Sequence, residues 1–323
     1  MSEACSAFIF PALIQKKGLR LQAFFVDFPT KDVIMWTNVK GEPIMAYQRI
    51  LTVQDISCLG QCSITVALPI LSACGHETCI LPSAVLSTHT GGFGMPHIKD
   101  LTEDFSGILK HWQELNLAFH AVYTGYLGNT RHMEFVKEIF DTMLMPGGVK
   151  IVDPAMADHG KLYTGFDMNY ALAMRDLCAN ADVILPNVTE ACFMTGVPYR
   201  QDLDEAFISE LMDKMEAICP NVVLTGVGYR ENETGVLVSR NGQRWHYVHK
   251  KIPQTFHGTG DVFASTFIGA WQQGKTLEDA VKIAADFTAK CIEKTWKEPA
   301  HWYGVKFEAA LPELIKTLFG SEQ

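Results

Sequence analysis

The chain has 323 residues, with 48% hydrophobic residues, 20% charged residues and a formal net charge of −9. This is the composition of an ordinary globular protein, long enough for one large α/β domain or two smaller ones. The acidic balance, with no run of basic residues, argues against a nucleic acid or an anionic membrane as partner. Nine scattered cysteines without a C-x-x-C pair favour free thiols and predict a cytoplasmic location.

Residues 1–44 are predicted to be an N-terminal extension outside the core fold, and residues 45–323 to be the main domain. The apolar run Phe8–Ile14 is too short to span a bilayer. Lys16 and Lys17 follow this run, whereas a signal peptide carries its positive charges in front of the apolar run. The first convincing strand begins only at about Arg49, just after Met45.

From Arg49 onwards, short apolar strands alternate with helical patterns. The predicted strands are Ile50–Val53, Thr78–Leu81, Ala118–Tyr123, Lys150–Val152, Val183–Leu185 and Val222–Leu224. The predicted helices are Ser63–Ala73, Thr102–Leu115, Arg131–Met145, Tyr170–Ala179, Thr189–Met194, Leu203–Ile218, Leu277–Trp296 and Glu308–Phe319. Gly235–Ser239 and Arg244–His249 flank Asn241-Gly242, a pattern typical of a hairpin with a two-residue turn. The alternation predicts an α/β fold: a mostly parallel central sheet with helices on both faces and a small β-hairpin.

The segment Gly258-Thr259-Gly260-Asp261 directly precedes an apolar run at helical spacing, from Val262 to Trp271. Glycine allows the backbone to approach a ligand closely, and the free amides of a first helical turn bind anions. A carboxylate beside bound phosphate is costly unless it has a chemical task. Asp261 is therefore predicted to accept a proton from a hydroxyl group that attacks the phosphate. The alternative is that Asp261 only caps the helix.

Polar residues also follow the predicted strands at equivalent positions. They are Asp55, Ser83, Tyr126, Asp153, Asn187 and Thr225. Because ligands bind beyond the carboxyl ends of the strands in such a sheet, these residues are predicted to form one site.

Five motifs in this order resemble those of the pyridoxal kinases, within the ribokinase-like superfamily, over more than four-fifths of the chain. They are Ser87–Thr90, Thr124–Gly128, Asp153–Asp158, Asn187–Glu190 and Gly258–Asp261. The resemblance implies a kinase that depends on ATP and Mg²⁺ and phosphorylates the 5′-hydroxymethyl group of a vitamin B6 ring. It also implies a homodimer, and it leaves open a need for a monovalent cation such as K⁺.

The resemblance further implies a role for each site residue. Gly258, Thr259 and Gly260 would offer amides to the transferred phosphate, with Asp261 as the base. Glu190 would place Mg²⁺ through water, together with Asp153. Asp153, Asp158, Asn187 and Thr225 would lie near the metal and the nucleotide phosphates. Asp55, Ser83, His89 and Tyr126 would line the ring pocket.

Each of these residues also has a structural alternative. Asn187 with Glu190 is a common helix cap, Asp153 could cap a turn, and Thr225 could simply close a strand. His89 could be an ordinary histidine whose ring is satisfied by its neighbours. For these residues the functional and the structural interpretation both stay open at the level of sequence.

Three positions depart from the pyridoxal kinase pattern. Asp55 stands where a serine is common, Ser83 where a threonine is common, and Ala157 where a glycine precedes Asp158. An aspartate at the position of Asp55 also resembles the hydroxymethylpyrimidine kinases of thiamine synthesis. Such a kinase, with the same chemistry on a different ring, is the nearest alternative. An alternative of another class is a non-catalytic vitamin- or nucleotide-binding protein of the same fold, which the presence of Asp261 and Glu190 disfavours. A dehydrogenase is disfavoured because no G-x-G-x-x-G follows the first strand.

Overall fold

The structure is a computed structural model that describes residues 47–320 and, before them, the backbone of residues 15–16, 19–20, 22–28, 31–37 and 43–44. The chain divides into two compact units, residues 1–48 and residues 49–323. The apolar run Phe8–Ile14 lies outside the described residues. In the first unit the described backbone forms the strands β1 (Gln15–Lys16), β2 (Leu19–Arg20), β3 (Gln22–Phe28), β4 (Lys31–Thr37) and β5 (Pro43–Ile44). Strands β1 and β2 pair antiparallel, and β3, β4 and β5 form a separate antiparallel sheet. That this unit is an extension outside the core fold stays a prediction.

In the second unit, eleven strands and nine α-helices lie within residues 49–320. The strands are β6 (Arg49–Ser57), β7 (Glu77–Leu86), β8 (Ile98–Asp100), β9 (Phe119–Thr124), β10 (Leu144–Val152), β11 (Ala157–Asp158), β12 (Lys161–Leu162), β13 (Val183–Ile184), β14 (Asn221–Thr225), β15 (Glu233–Arg240) and β16 (Gln243–Lys250). The helices are α1 (Ile64–Ala73), α2 (Thr102–Glu114), α3 (Thr130–Thr142), α4 (Met168–Cys178), α5 (Val188–Thr195), α6 (Glu205–Glu216), α7 (Thr259–Gln272), α8 (Leu277–Thr295) and α9 (Leu311–Phe319).

Among the described residues, nine of these strands form one sheet in the order β16-β15-β14-β13-β10-β9-β6-β7-β8. The strands from β14 to β7 pair in parallel, and the hairpin β15–β16 and the short strand β8 add antiparallel edges. Both central residues of the hairpin turn, Asn241 and Gly242, have positive φ (50° and 82°), as a type I′ turn requires. The predicted parallel sheet with a small hairpin is confirmed.

Alternate residues of the same strands pack on opposite faces of the sheet. Leu51 and Val53 join a core with α2 to α6, whereas Ile50 joins a core with α1, α7 and α8. Since successive side chains of a strand point to opposite faces, helices cover both sides of the sheet, as predicted. Within the described residues, no helix is both long enough and apolar enough to cross a membrane.

Three local predictions were wrong. Strands β6, β7 and β14 run to Ser57, Leu86 and Thr225, so Asp55, Ser83 and Thr225 belong to strands and do not follow them. Helix α3 ends at Thr142, because Leu144 pairs with Phe119 of β9, and this tertiary pairing outweighs the helical pattern. The last helix, α9, begins at Leu311, with a proline in its first turn, after a separate 3-10 turn at Phe307–Ala309.

Candidate active site

Helix α7 begins at the loop Gly258–Asp261, called the phosphate loop below. Gly258 has a φ of +76°, and a Cβ on it would lie 1.8 Å from the carbonyl oxygen of Gln61. Only glycine therefore fits this position. The backbone N–H of Val262 makes the first helical hydrogen bond, to the carbonyl of Gly258, at 3.0 Å. The amides before it are the free donors of a helix N-terminus, where the helix dipole favours an anion.

Asp261 stands in the first turn of α7 and is half-buried. The pKa of its carboxyl is raised from 3.8 to about 7: burial raises it most, the negative charge of Asp55 adds to the rise, and a backbone hydrogen bond from Ser63 opposes it. At neutral pH a carboxyl with a pKa near 7 is partly ionised, so it can accept a proton. It also binds that proton more firmly than an ordinary carboxylate does. The position and the pKa suit a general base.

Two cavities meet at the phosphate loop. Cavity A has a volume of about 410 Å³ and is lined by side chains that include Asp55, His89 and Tyr126. Cavity B has a volume of about 370 Å³ and is lined by residues that include Asn187 and Glu190. Six residues line both cavities: Ala155, Asp158, Tyr163, His257, Gly258 and Asp261. A ligand in one cavity can therefore reach a ligand in the other at Asp261.

Asp55 presents a carboxylate to cavity A from inside strand β6. Gln54 of β6 pairs with Pro82 of β7 and Ile56 pairs with Val85, so β7 carries one extra residue beside Asp55. Burial raises the pKa of Asp55, against hydrogen bonds from Ser63 and Ser57 that lower it. The Ser57 hydroxyl donates to Asp55 Oδ2 at 3.0 Å. The carboxylate is thus held in place with acceptor capacity left for a ligand.

His89 forms part of the wall of cavity A, with both ring nitrogens occupied by backbone groups. The backbone N–H of Gly91 donates to Nδ1 at 3.0 Å, and Nε2 lies 2.9 Å from the carbonyl oxygen of Tyr303. Because Nδ1 accepts, Nε2 carries the hydrogen and donates to that carbonyl. Burial lowers the pKa of the ring. His89 therefore shapes the cavity while it joins the β7–β8 loop to the segment around Tyr303.

Tyr126 lines cavity A, whereas Ser83 is not among the lining residues. The ring of Tyr126 stacks on Phe166 at 5.3 Å, and Phe166 stacks on Tyr170 at 3.7 Å, so the ring is fixed by packing. Burial raises the pKa of Tyr126 to about 12, which leaves its hydroxyl as a neutral donor. Ser83 is fully buried, and its hydroxyl donates to the carbonyl of Tyr126 at 3.3 Å. Ser83 thus supports the residue that lines the cavity.

Asn187 and Glu190 form a complete capping box at the start of α5. The Glu190 backbone N–H donates to Asn187 Oδ1 at 2.9 Å, and the Asn187 backbone N–H donates to Glu190 Oε2 at 2.8 Å. Glu190 Oε1 also accepts from the backbone N–H of Met156 at 3.1 Å. The structural alternative is therefore realised. It does not exclude a ligand, because each carboxylate oxygen keeps a further acceptor site.

Asp153 and Glu190 are buried carboxylates on the wall of cavity B. Burial raises the pKa of both well above the usual range, and each carboxyl has a further acidic neighbour, Asp261 for Asp153 and Asp153 for Glu190. Neither pairs with a lysine or arginine among residues 47–320. A cation stabilises the charged form of buried carboxylates, and oxygen ligands suit Mg²⁺, so this donor set fits that ion. No ready-made cluster of three or more His, Cys, Asp or Glu metal ligands occurs in the described part of the chain. Water would have to complete the coordination shell.

Thr225 and Asp158 also line cavity B. The Thr225 hydroxyl lies 3.4 Å from the carbonyl oxygen of Pro186, a long hydrogen bond that a ligand could replace. Asp158 is exposed on the β11–β12 hairpin, accepts the backbone N–H of His159 at 2.8 Å and lies 3.5 Å from its ring. The structure thus places twelve of the thirteen predicted site residues on the two cavities, and Ser83 behind them.

Three further side chains on these walls were not predicted from the sequence. Cys62 lines cavity A, and burial together with Asp261 and Asp55 raises the pKa of its thiol well above the usual range, so it is present as a neutral thiol. Tyr163 follows the β11–β12 hairpin and lines both cavities, and this hairpin has no clear strand pattern in the sequence. His257 also lines both cavities. Its only sequence signal is that it directly precedes Gly258.

The chain is similar to known kinases in sequence. The phosphomethylpyrimidine kinase family model matches residues 106–304. A pyridoxal kinase from Dictyostelium discoideum is 26% identical over an alignment of 237 positions that covers 68% of this chain and 77% of that protein.

Two solved structures show the same fold. One is a Bacteroides thetaiotaomicron protein assigned to the phosphomethylpyrimidine kinases, in a crystal form with pyridoxal. It is 35% identical, has a TM-score of 0.78 and covers 83% of this chain and 96% of its own. The other is the pyridoxal kinase from Lactobacillus plantarum, which is 28% identical, has a TM-score of 0.78 and covers 86% of this chain and 100% of its own. The fold is thus the ribokinase-like fold of the pyridoxal kinases. The chain belongs to the phosphomethylpyrimidine kinase family, whose members transfer phosphate to an alcohol.

Proposed function

We propose that the protein transfers the γ-phosphate of ATP to the 5′-hydroxymethyl oxygen of a vitamin B6 vitamer. The observation that carries the proposal is that Asp261 and the phosphate loop lie where cavity A meets cavity B. Cavity A would hold the pyridine ring, and cavity B the nucleotide. The similarity to two pyridoxal kinases, and to a protein crystallised with pyridoxal, supports this choice of acceptor.

In this reaction the 5′-hydroxyl oxygen of the vitamer attacks the γ-phosphorus while its proton passes to the carboxylate of Asp261. A new O–P bond forms, and the bond between the γ-phosphorus and the β,γ-bridging oxygen breaks. ADP leaves with that electron pair, and the product is the 5′-phosphate ester. The backbone amides of Gly258, Thr259 and Gly260 would donate to the equatorial oxygens, where negative charge accumulates.

The carboxylates around the junction make such donors necessary. At about 4 Å and an effective dielectric constant near 20, two like unit charges repel by about 4 kcal/mol. A phosphate beside Asp261 therefore needs compensation from the amides and from cations. Asp153 and Glu190 would hold Mg²⁺, Glu190 through water, and the ion would neutralise charge on the phosphates. We leave a need for a monovalent cation such as K⁺ open.

Tyr126, Asp55 and the backbone-held ring of His89 would contact the vitamer, and Asn187, Thr225 and Asp158 the nucleotide. A homodimer and a cytoplasmic location belong to the same proposal. The first is supported by the resemblance to pyridoxal kinases. The second is supported by the cysteines, since all eight that are described are free thiols.

A hydroxymethylpyrimidine kinase is the second candidate, favoured by the description of the matching family model. ATP consumption measured with pyridoxal, pyridoxamine, pyridoxine and hydroxymethylpyrimidine separates the two candidates. We expect a higher kcat/KM for at least one B6 vitamer than for the pyrimidine. Turnover of the pyrimidine alone would replace the proposal with the second candidate. If no acceptor is turned over, the remaining interpretation is a non-catalytic binding protein.

A further inference from the structure

We propose that His257 binds the transferred phosphoryl group and stabilises it during transfer. This inference rests on the proposed function, and it goes beyond it by assigning a side chain that the motif Gly258–Asp261 does not contain. The carrying observation is the position of His257 on both cavities, next to the phosphate loop. The phosphoryl group must pass through this junction to move from the nucleotide to the acceptor.

His257 is the only residue shared by the two cavities whose side chain can carry a positive charge. The other five are Ala155, Asp158, Tyr163, Gly258 and Asp261, which supply two carboxylates and no cation. Cavity B has no lysine or arginine on its wall, and the lysine of cavity A, Lys161, does not reach cavity B. An imidazole has an N–H donor in either protonation state, and a positive charge when protonated. It is therefore the one side chain shared by the two cavities that can meet an anion with a positive charge.

The surroundings of His257 hold its ring at the junction. A Cβ on Gly91 would lie 2.4 Å from His257 Cε1, so the imidazole packs directly on the backbone of Gly91. The ring of His89 lies 5.0 Å away, and that ring is itself fixed by the carbonyl of Tyr303. Among residues 47–320, no hydrogen bond occupies either ring nitrogen of His257. The side chain is positioned by packing and leaves its donors free for a ligand.

The role is a hydrogen bond from the imidazole to a non-bridging oxygen of the phosphoryl group, and no proton is transferred. Removing one such donor in other enzymes lowers kcat by about 10²–10³. We expect His257→Ala to lower kcat about a hundredfold, with the KM of the vitamer and the affinity for ADP little changed. His257→Gln keeps an N–H donor without the charge, and its loss should be smaller. His111→Ala, at an exposed histidine of α2 that lines neither cavity, is the matched control and should keep the wild-type rate.

A second variant moves the imidazole without removing it. Gly91→Ala places a methyl group where the ring now lies, and the φ of Gly91 is not in the left-handed region, so the backbone tolerates alanine. We expect Gly91→Ala to reproduce most of the loss in kcat. A rate of His257→Ala within about twofold of wild type would overturn the proposal, as would an equal loss of affinity for ADP, because the role would then be general support of the loop.

Equilibrium binding gives a readout that needs no acceptor. A non-hydrolysable ATP analogue reaches the junction with its γ-phosphate, whereas ADP does not. We expect His257→Ala to weaken the analogue about tenfold and to leave ADP unchanged. If the wild type phosphorylates none of the vitamers, the proposed function has failed, and this comparison alone decides the role of His257. If His257→Ala then loses affinity for the analogue but not for ADP, the role is supported. If it loses affinity for both or for neither, the role is overturned.

Discussion

The two cavities that meet at Asp261 are built in different ways. Cavity B carries two local motifs on its wall: a capping box that joins residues three apart and the backbone amides of one helix start. Cavity A is built from side chains that distant segments hold, such as His89, whose ring is fixed by a carbonyl 214 residues away. Phosphates are alike in all kinases, so backbone groups suffice to bind them, whereas a particular ring needs side chains of a particular shape and charge. The comparison predicts that changes at the junction abolish transfer, and that changes in cavity A redirect it.

The largest effect is expected at the junction itself. Asp261→Asn keeps the size of the side chain and removes the base, so kcat should fall by about 10²–10⁴ while ATP binding is largely retained. Steady-state kinetics and nucleotide titration check both parts. The exposed residue Asp104 on α2 lines neither cavity, and Asp104→Asn is the matched control. Near-normal turnover of Asp261→Asn would show that Asp261 only caps the helix.

The pH dependence should report the same carboxylate. Burial raises the pKa of Asp261 to about 7, so the group is protonated, and inactive as a base, below that value. The kcat/KM should therefore rise about tenfold per unit of pH on the acidic side and level off above about 7. Because the pKa of Asp261 is raised in the folded state, ionised Asp261 destabilises the folded protein. This destabilisation develops as pH rises from 3.8 through about 7. Asp261→Asn should accordingly raise Tm relative to wild type at pH 8 and not at pH 4. A flat profile of kcat/KM between pH 5 and 8 would contradict the assignment.

Asp55 tests the specificity of cavity A. Its carboxylate would pair with the aminomethyl ammonium of pyridoxamine, or with the ring nitrogen that all three B6 vitamers share. After desolvation, a net preference of about 1–2 kcal/mol, or roughly tenfold in kcat/KM, is reasonable for the first pairing. We predict that the enzyme favours pyridoxamine over pyridoxine and that Asp55→Ser removes this preference. The kcat/KM of each vitamer in both proteins decides. An equal loss on all vitamers would point to the ring nitrogen or to the structure of β6, and no change at all would remove Asp55 from the site.

The smallest effect is expected from the removal of residues 1–44. A protein that starts at Met45 should fold and keep its kcat/KM, because the residues that line the two cavities lie between Asp55 and Ile292. Solubility, Tm and the kinetics of the full chain are the reference. An insoluble or inactive shortened protein would show that residues 1–44 belong to the core or to a subunit contact.

The contrast between local motifs and contacts of distant segments also explains how much of the structure could be predicted from the sequence. The parallel sheet, the hairpin at Asn241-Gly242, the phosphate loop and the capping box at Asn187 are set by periodicity or by a few adjacent residues, and each was predicted. The position of Asp55 inside a strand depends on β6 continuing to Ser57 beside an irregular stretch of β7, which the apolar run Ile50–Val53 does not reveal.

The part played by His257 was missed for a similar reason. Its position depends on contacts with Gly91 and His89, more than 150 residues earlier in the chain. The ring specificity of cavity A depends on tertiary contacts of this kind. It therefore cannot be predicted from patterns in the sequence.

The most direct test of the proposed function is the identity of the product. Phosphorus NMR of a reaction with ATP, Mg²⁺ and a B6 vitamer should show a new phosphate monoester on the 5′-oxygen, formed in the same amount as ADP. The same reaction with Asp261→Asn should show almost none. ADP formed together with free phosphate, or an ester formed only with hydroxymethylpyrimidine, would contradict the proposed transfer to vitamin B6.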